Sequence, residues 1–243
     1  MREIRPSGSE GGETGQPVFP TPIGSRGVVF RPILRESMSA TAARPELVLA
    51  SRSPRRRELL AQAGYRFEVR PPREMAEDDL SRGETPAQLV ARLARQKAAD
   101  VASRIERGLI LGCDTVAECD GHILGKPVDE PDARRMLETL RGREHRVLSG
   151  LCLWQQPDGR ANVRVDVTTL RMDSLTDAEI DEYLGAGAWR GKAGAFGYQD
   201  RLGWVHVLEG SESNVVGLPL ELLAEMIAEM HGRKPAGDQP ATT

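Results

Sequence analysis

The chain lacks most of the features that would assign it quickly to a class. No stretch of its 243 residues approaches the ~18–20 apolar residues needed to cross a bilayer. Residues 1–44 carry scattered charges and no apolar core of a secretory signal, so the expectation is a cytoplasmic protein without a membrane partner. Cysteine is scarce. Cys113, Cys119 and Cys152 are odd in number and have no C-x-x-C spacing, which argues against a disulfide scaffold and fits a reducing compartment. Neither charge sign dominates: Lys and Arg total 33 against 36 Asp and Glu, a formal net charge of −3. A nucleic-acid coat would need a basic excess, and no basic stripe interleaved with aromatics is present, so no nucleic-acid partner is expected. The chain has no G-x-x-x-x-G-K-[ST] loop, no G-x-G-x-x-G after a strand and no G-x-S-x-G elbow. His122, His145, His206 and His231 are scattered and form no zinc spacing with the cysteines.

What is present is an ordinary globular balance, 39% hydrophobic and 28% charged. Residues 1–44 are rich in Gly, Pro, Ser, Thr and Arg, too polar to offset their ordering entropy, and predict a disordered tail. Met38 sits shortly before the first expected strand and is an expected alternative start. A folded domain is expected over 45–231, and a second polar tail over 232–243.

Inside that domain apolar patterns alternate between short strands and helices. Leu47–Ala50 reads as a buried strand. Ser53-Pro54 reads as an N-cap with proline at the first helical position, opening a helix that Gly64 ends. Phe67 and Val69 alternate as a strand, and residues 86 to about 106 carry a helical stripe. A strand over 109–116 turns at Asp120-Gly121 into Ile123-Leu124. A helix over 130–140 closes at Gly142. Strands over 147–154 and 163–170 flank Pro157-Asp158-Gly159. A helix over 177–184, a strand over 204–208 and a helix over 220–230 complete the pattern. The mixture predicts an α/β or α+β domain with one mixed central sheet flanked by helices, in two lobes around a cleft.

Four segments carry chemistry. Ala50-Ser51-Arg52-Ser53-Pro54-Arg55-Arg56 runs from a strand through a loop into a helix start, a natural seat for phosphate. Arg55 and Arg56 oppose the helix dipole there, so an anionic ligand gives their placement a reason. Asp114 stands at the end of an apolar strand, where open sheets place ligands, and suits a divalent cation or a proton taken from water. Lys126 is held in Gly125-Lys126-Pro127. Lys97 falls nearer the buried face of its helix than lysines normally do. Gly191 to Asp200 is a glycine-rich loop in which Gln199 offers both donor and acceptor to a base edge. Each has a plainer reading alone: a solvated basic turn, a strand-end Asp, exposed lysines, a connecting loop.

In series they do not. The segments L-A-S-R-S-P-R-R-R-E-L-L, G-C-D-T-V, L-G-K-P, K-A-G-A-F-G-Y-Q and N-V-V-G-L-P-L occur in order across Leu47 to Met230, and the chain resembles the Maf family of nucleotide pyrophosphatases. The resemblance implies a Maf/ITPase-like α/β fold whose cleft binds a nucleoside triphosphate. It implies cleavage between the α and β phosphates, giving a monophosphate and pyrophosphate, with Mg²⁺ or Mn²⁺. Asp114 matches the proton acceptor and a metal ligand. Ser51, Arg55, Arg56, Lys97 and Lys126 match loop and phosphate-binding positions. Glu77, with Glu74 as rival, matches a second acidic residue. Arg55, Thr115 and Gln199 resemble the branch that prefers dTTP and UTP. Cys113, Tyr198, Asp200 and Trp189 depart from the commoner pattern around the base. A homodimer follows from the resemblance alone. The alternative expectation is a non-catalytic nucleotide-binding regulator of cell division on the same fold.

Overall fold

A computed structural model describes residues 47–73, 83–200 and 202–232. The expected tail over 1–44 lies outside the described residues, as do 233–243 of the second tail and both Glu74 and Glu77.

The first unit is a parallel one. Strand β1 (Leu47–Ala50) is buried at every position and leads into helix α1 (Pro54–Gln62). It pairs in parallel with β2 (Phe67–Val69) on one side and β3 (Gly108–Cys119) on the other. Between β2 and β3 lies helix α2 (Pro86–Ala102), whose start carries a reciprocal Thr85–Gln88 capping box with Pro86 behind it. Beyond β3 the sheet turns antiparallel through β5 (Glu144–Gln156), β6 (Arg160–Met172) and β7 (Val205–Glu209), while β4 (His122–Leu124) folds back on the far end of β3. The expected β3–β4 hairpin is there: Asp120 and Gly121 both take positive φ, 49° and 81°, as a tight type I′ turn requires. Helices α3 (Glu130–Leu140), α4 (Asp177–Gly185), α5 (Glu212–Val216) and α6 (Leu220–Met230) complete the domain. The outcome is the mixed α/β sheet flanked by helices that the pattern predicts. Among the described residues no helix is long and apolar enough to cross a membrane.

Several details differ from the pattern, and β3 itself runs past the expected Val116 to Cys119. Helix α2 stops at Ala102, not near Glu106; Ile105 still packs against the same core cluster, which is why its spacing looks helical. Strands β5 and β6 run further at both ends, because polar pairs such as Glu144↔Arg171 and Gln155↔Arg160 continue the ladder without apolar alternation. Ser53 has the backbone of an N-cap, but its side chain makes no cap bond.

The two faces of β3 explain where the cleft falls. On one face Leu109, Leu111 and Cys113 pack with Leu49, Leu151 and Leu153 beneath α1 and α6. Further along the same face, Ala117 and Cys119 pack with Val147 and Met172 beneath α3 and α4. Between the two cores this face carries Thr115, registered against Ser149. The apolar run is broken there, and the two lobes part. Helix α2 covers the opposite face very closely. A Cβ added to Gly112 would lie 2.2 Å from the Ala94 carbonyl oxygen, and one on Gly150 2.2 Å from that of Val90. Glycine at these two positions lets the helix rest on strand backbone.

A cation-lined cleft between the lobes

The loop from β1 to α1 builds one wall. Ser51 is buried, and its Oγ accepts from the Ser53 N–H at 3.1 Å and from Arg56 Nη1 at 3.2 Å. The Arg56 guanidinium also donates through Nε to the Gly217 carbonyl at 2.8 Å and through Nη2 to Thr115 Oγ1 at 3.0 Å. Thr115 Oγ1 in turn lies 2.8 Å from Ser149 Oγ. Arg56 therefore ties α1 to β3 and to the loop before α6. Arg55 turns the other way and donates to the Gly191 carbonyl at 2.9 Å. Burial, and then the neighbouring Arg56 guanidinium, draw the Arg55 pKa below its ordinary value. A cation so placed gains from an added anion.

Asp114 precedes Thr115 on β3 and faces the other side of the sheet, toward α2. Its Oδ1 is 2.6 Å from Nζ of Lys97, whose side chain is only 5% exposed. Gly112, two positions earlier on the same face, allows the close approach that brings Lys97 this far. Strand β1 ends at Ala50, the register partner of Gly112, so Asp114 lies just beyond the end of that strand. Lys97 passes this end and lines the cleft together with Ser51 and Thr115.

The opposite wall is a loop. Lys126 projects beside Gly125, whose carbonyl accepts the Gly194 N–H at 3.0 Å. Lys192 is buried and ion-paired with Asp200, and Tyr183 of α4 donates its hydroxyl to the same Asp200 oxygen at 2.9 Å. Gly197 lies against this pair: a Cβ there would come within 2.5 Å of Lys192 Nζ and 2.6 Å of Asp200 Oδ2. Burial, and then the Asp200 charge, push the Tyr183 phenol well above its usual range, so it is a hydrogen-bond donor throughout ordinary pH. Gln199 stands exposed at the tip of the loop.

Ser51, Arg55, Arg56, Lys97, Thr115, Lys126 and Gln199 line one cleft of about 280 Å³, with Asp114 joined to it through its bond to Lys97. The remaining sequence candidate, Glu77, lies outside the described residues. An open hollow of about 500 Å³ continues from the cleft past Arg55, Phe196 and Gln199 toward Tyr198 and Trp204. Sequence reading does not single out Arg52, Arg190 and Lys192 as ligand groups, yet all three line the cleft. The signal for Lys192 is its place among the glycines of the loop; Arg190 carries no such mark. Among the described residues no three His, Cys, Asp or Glu side chains gather as a metal cage. The arrangement suits a polyanion held by cations, with one carboxylate close by.

Comparison with known proteins finds relatives along most of the chain. The family described as Maf-like protein matches residues 46–230. A dTTP/UTP pyrophosphatase of Rhodopirellula baltica is 52% identical over 182 residues, covering 74% of this chain and 80% of that protein. Another, from Carboxydothermus hydrogenoformans, is 43% identical over 185 residues, 76% of this chain and 98% of its own. Among solved structures, a HAM1 protein from Coxiella burnetii aligns over 76% of this chain and 99% of its own, at 15% identity and a TM-score of 0.43. That likeness is too distant to bear on the site.

Proposed function

The chain belongs to the family of Maf-like proteins, and on that premise we propose that it hydrolyses nucleoside triphosphates to a monophosphate and pyrophosphate, preferring dTTP and UTP. The observation that carries this reading is the meeting of a pair between buried Lys97 and partly exposed Asp114 with a cleft lined by arginine and lysine. The names of its relatives support the choice of substrate.

In the proposed reaction Asp114 accepts a proton from a water as that water's oxygen attacks the α-phosphorus. The bond from that phosphorus to the bridging oxygen breaks, and pyrophosphate leaves in line. Lys97 holds the Asp114 carboxylate in place through Oδ1. Arg55 and Lys126 oppose the charge of the phosphate oxygens, and Arg56 positions Ser51 and Thr115. Such catalysis is mostly positioning and electrostatic stabilisation. Arg55, Thr115 and Gln199 line the cleft and are the residues assigned to base choice.

A divalent cation, Mg²⁺ or Mn²⁺, fits the donor set. Mg²⁺ is commonly held by one or two carboxylates together with substrate phosphates, and Asp114 is a single hard-oxygen donor beside the cleft. Asp114 would hold it, with Glu77 as the second carboxylate, and the ion would supply further neutralisation of phosphate charge. The buried free thiols Cys113, Cys119 and Cys152 accord with work in the cytoplasm, and family likeness favours a homodimer.

The test is a product assay on the full chain with Mg²⁺ or Mn²⁺ and a panel of standard and modified nucleoside triphosphates. Monophosphate with pyrophosphate, fastest from dTTP or UTP, is the expected result. Orthophosphate release instead would overturn the bond assignment. Nucleotide binding without turnover would move the protein to a non-catalytic regulator.

A further inference from the structure

Arg190 has no part in the reaction as derived, yet the fold holds it in a defined place. It follows Trp189, which is buried at 5% exposure and whose Nε1 donates to the Leu184 carbonyl at 3.2 Å. The Arg190 guanidinium carbon lies 4.8 Å from the centre of the indole it covers. An indole anchored at its polar end is a fixed platform, and a guanidinium over its face keeps its N–H edge available to other ligands. Gly187 makes room on the other side. A Cβ at that position would fall 2.1 Å from Arg190 Nη1. The next residue, Gly191, is tied to the opposite wall through its carbonyl and Arg55.

Arg190 thus sits at the mouth of the cleft, exposed, while Lys97 is buried within it. It pairs with no carboxylate among the described residues, whereas Lys97 and Lys192 each close on an aspartate. A guanidinium held over an indole at the lining of an anion cleft can match two oxygens of one phosphate group.

We propose that Arg190, held over the Trp189 indole, binds the β,γ end of the triphosphate and the departing pyrophosphate. This role rests on the pyrophosphatase reading of the same cleft. It makes Arg190 a substrate-binding residue that sets affinity for the polyphosphate tail and leaves proton transfer at Asp114 untouched. A monophosphate, lacking that tail, does not reach it.

The experiment is calorimetric titration of the full-length protein with inorganic pyrophosphate and, separately, with dTMP. Arg190→Ala is expected to weaken pyrophosphate binding about 10- to 100-fold, the span of a lost charge-assisted contact, and to leave dTMP within about twofold. Arg190→Lys restores part of the loss, since it returns the charge without the fork. Gly187→Ala keeps the arginine but displaces it, and should lower pyrophosphate affinity in the same direction. In turnover, KM for dTTP rises while kcat moves much less. Unchanged pyrophosphate affinity in Arg190→Ala overturns the role, as does an equal loss for pyrophosphate and dTMP. The titration is read without turnover. If the wild type makes no monophosphate from dTTP, the pyrophosphatase reading falls while the titration still decides the role of Arg190.

Discussion

On one wall of the cleft Arg56 is bonded to Ser51, Thr115 and Gly217, and Lys97 closes on Asp114 from a helix resting on strand backbone. On the other wall Gln199 stands exposed on a pair of 3₁₀ turns, Ala193–Ala195 and Tyr198–Asp200, held by Lys192, Asp200 and Tyr183. The first wall fixes side chains to sheet and helix, and tolerates little displacement. The second is loop, tied down at a few points, with its polar tip left to meet a ligand. The comparison teaches a division of labour: proton transfer is assigned to the framed wall, while selection and grip are shared between its edge at Arg55 and Thr115 and the loop wall.

Four predictions sharpen or break that division. The largest concerns the framed wall. Asp114→Asn should lower kcat by about 10²–10⁴-fold, the usual cost of losing a general base, and lower thermal melting because Lys97 loses its carboxylate, with the ranking of dTTP over other nucleotides unchanged. A changed ranking would mean that Asp114 itself also selects.

Acid should act on the loop wall first. His145 is buried, meets Phe196 edge-on with ring centroids 5.3 Å apart, and has no hydrogen-bond partner at Nε2. Burial lowers its pKa from 6.5 to about 4. The unfolded state therefore binds the proton first. The stability that His145 contributes falls as pH drops below about 6.5 and is fully lost below about 4, on the order of 3 kcal/mol in all. Urea unfolding across this range should show the slope in the wild type and its loss in His145→Leu. Hydrogen exchange should quicken at 193–200 before 51–57; the reverse order would break the comparison.

Next comes the seat of α2. Gly112→Ala pushes a methyl against the Ala94 carbonyl and should destabilise by about 1–3 kcal/mol, as overpacking does, while lowering kcat through the Lys97–Asp114 pair. Full activity in a folded Gly112→Ala protein would show that this pair needs no such close seat. The smallest effect belongs to Tyr183→Phe. It removes one hydrogen bond to Asp200, worth about 0.5–1.5 kcal/mol, and should relax base preference several-fold with kcat within about twofold. A fall in kcat at constant preference would assign the loop to chemistry.

The framed wall was largely legible from sequence, because its parts are local patterns. Ser51 to Arg56 is a contiguous strand-to-helix entry, Asp114 ends an apolar run, and Lys97 is betrayed by its helical spacing from Leu93 and Val101. What no pattern reveals is who meets whom. Arg56 reads as a ligand cation, but its partners Thr115 and Gly217 lie 59 and 161 residues away, and they make it a tie across the wall. Gly112 reads as part of a strand motif; its duty to α2 depends on a helix that only the fold brings near. Asp200 looks like a departure in a loop motif, and its ion pair with Lys192 appears only once two tight turns bring the ends of that loop together. The polar ends of β5 and β6 escaped for a related reason: a ladder needs backbone, not apolar alternation.

The floor of the cleft has a mechanical consequence. Strands β3 and β5 stay in register without interruption from Gly108↔Gln156 to Glu118↔Arg146, running beneath both cores and straight under the gap at Thr115. A hinge between the lobes would have to rupture that ladder, so the floor behaves as a stiff beam rather than a joint. Any widening of the cleft then falls to the loop side, where the ties at Asp200 and Gly191 are side-chain bonds and not a strand ladder.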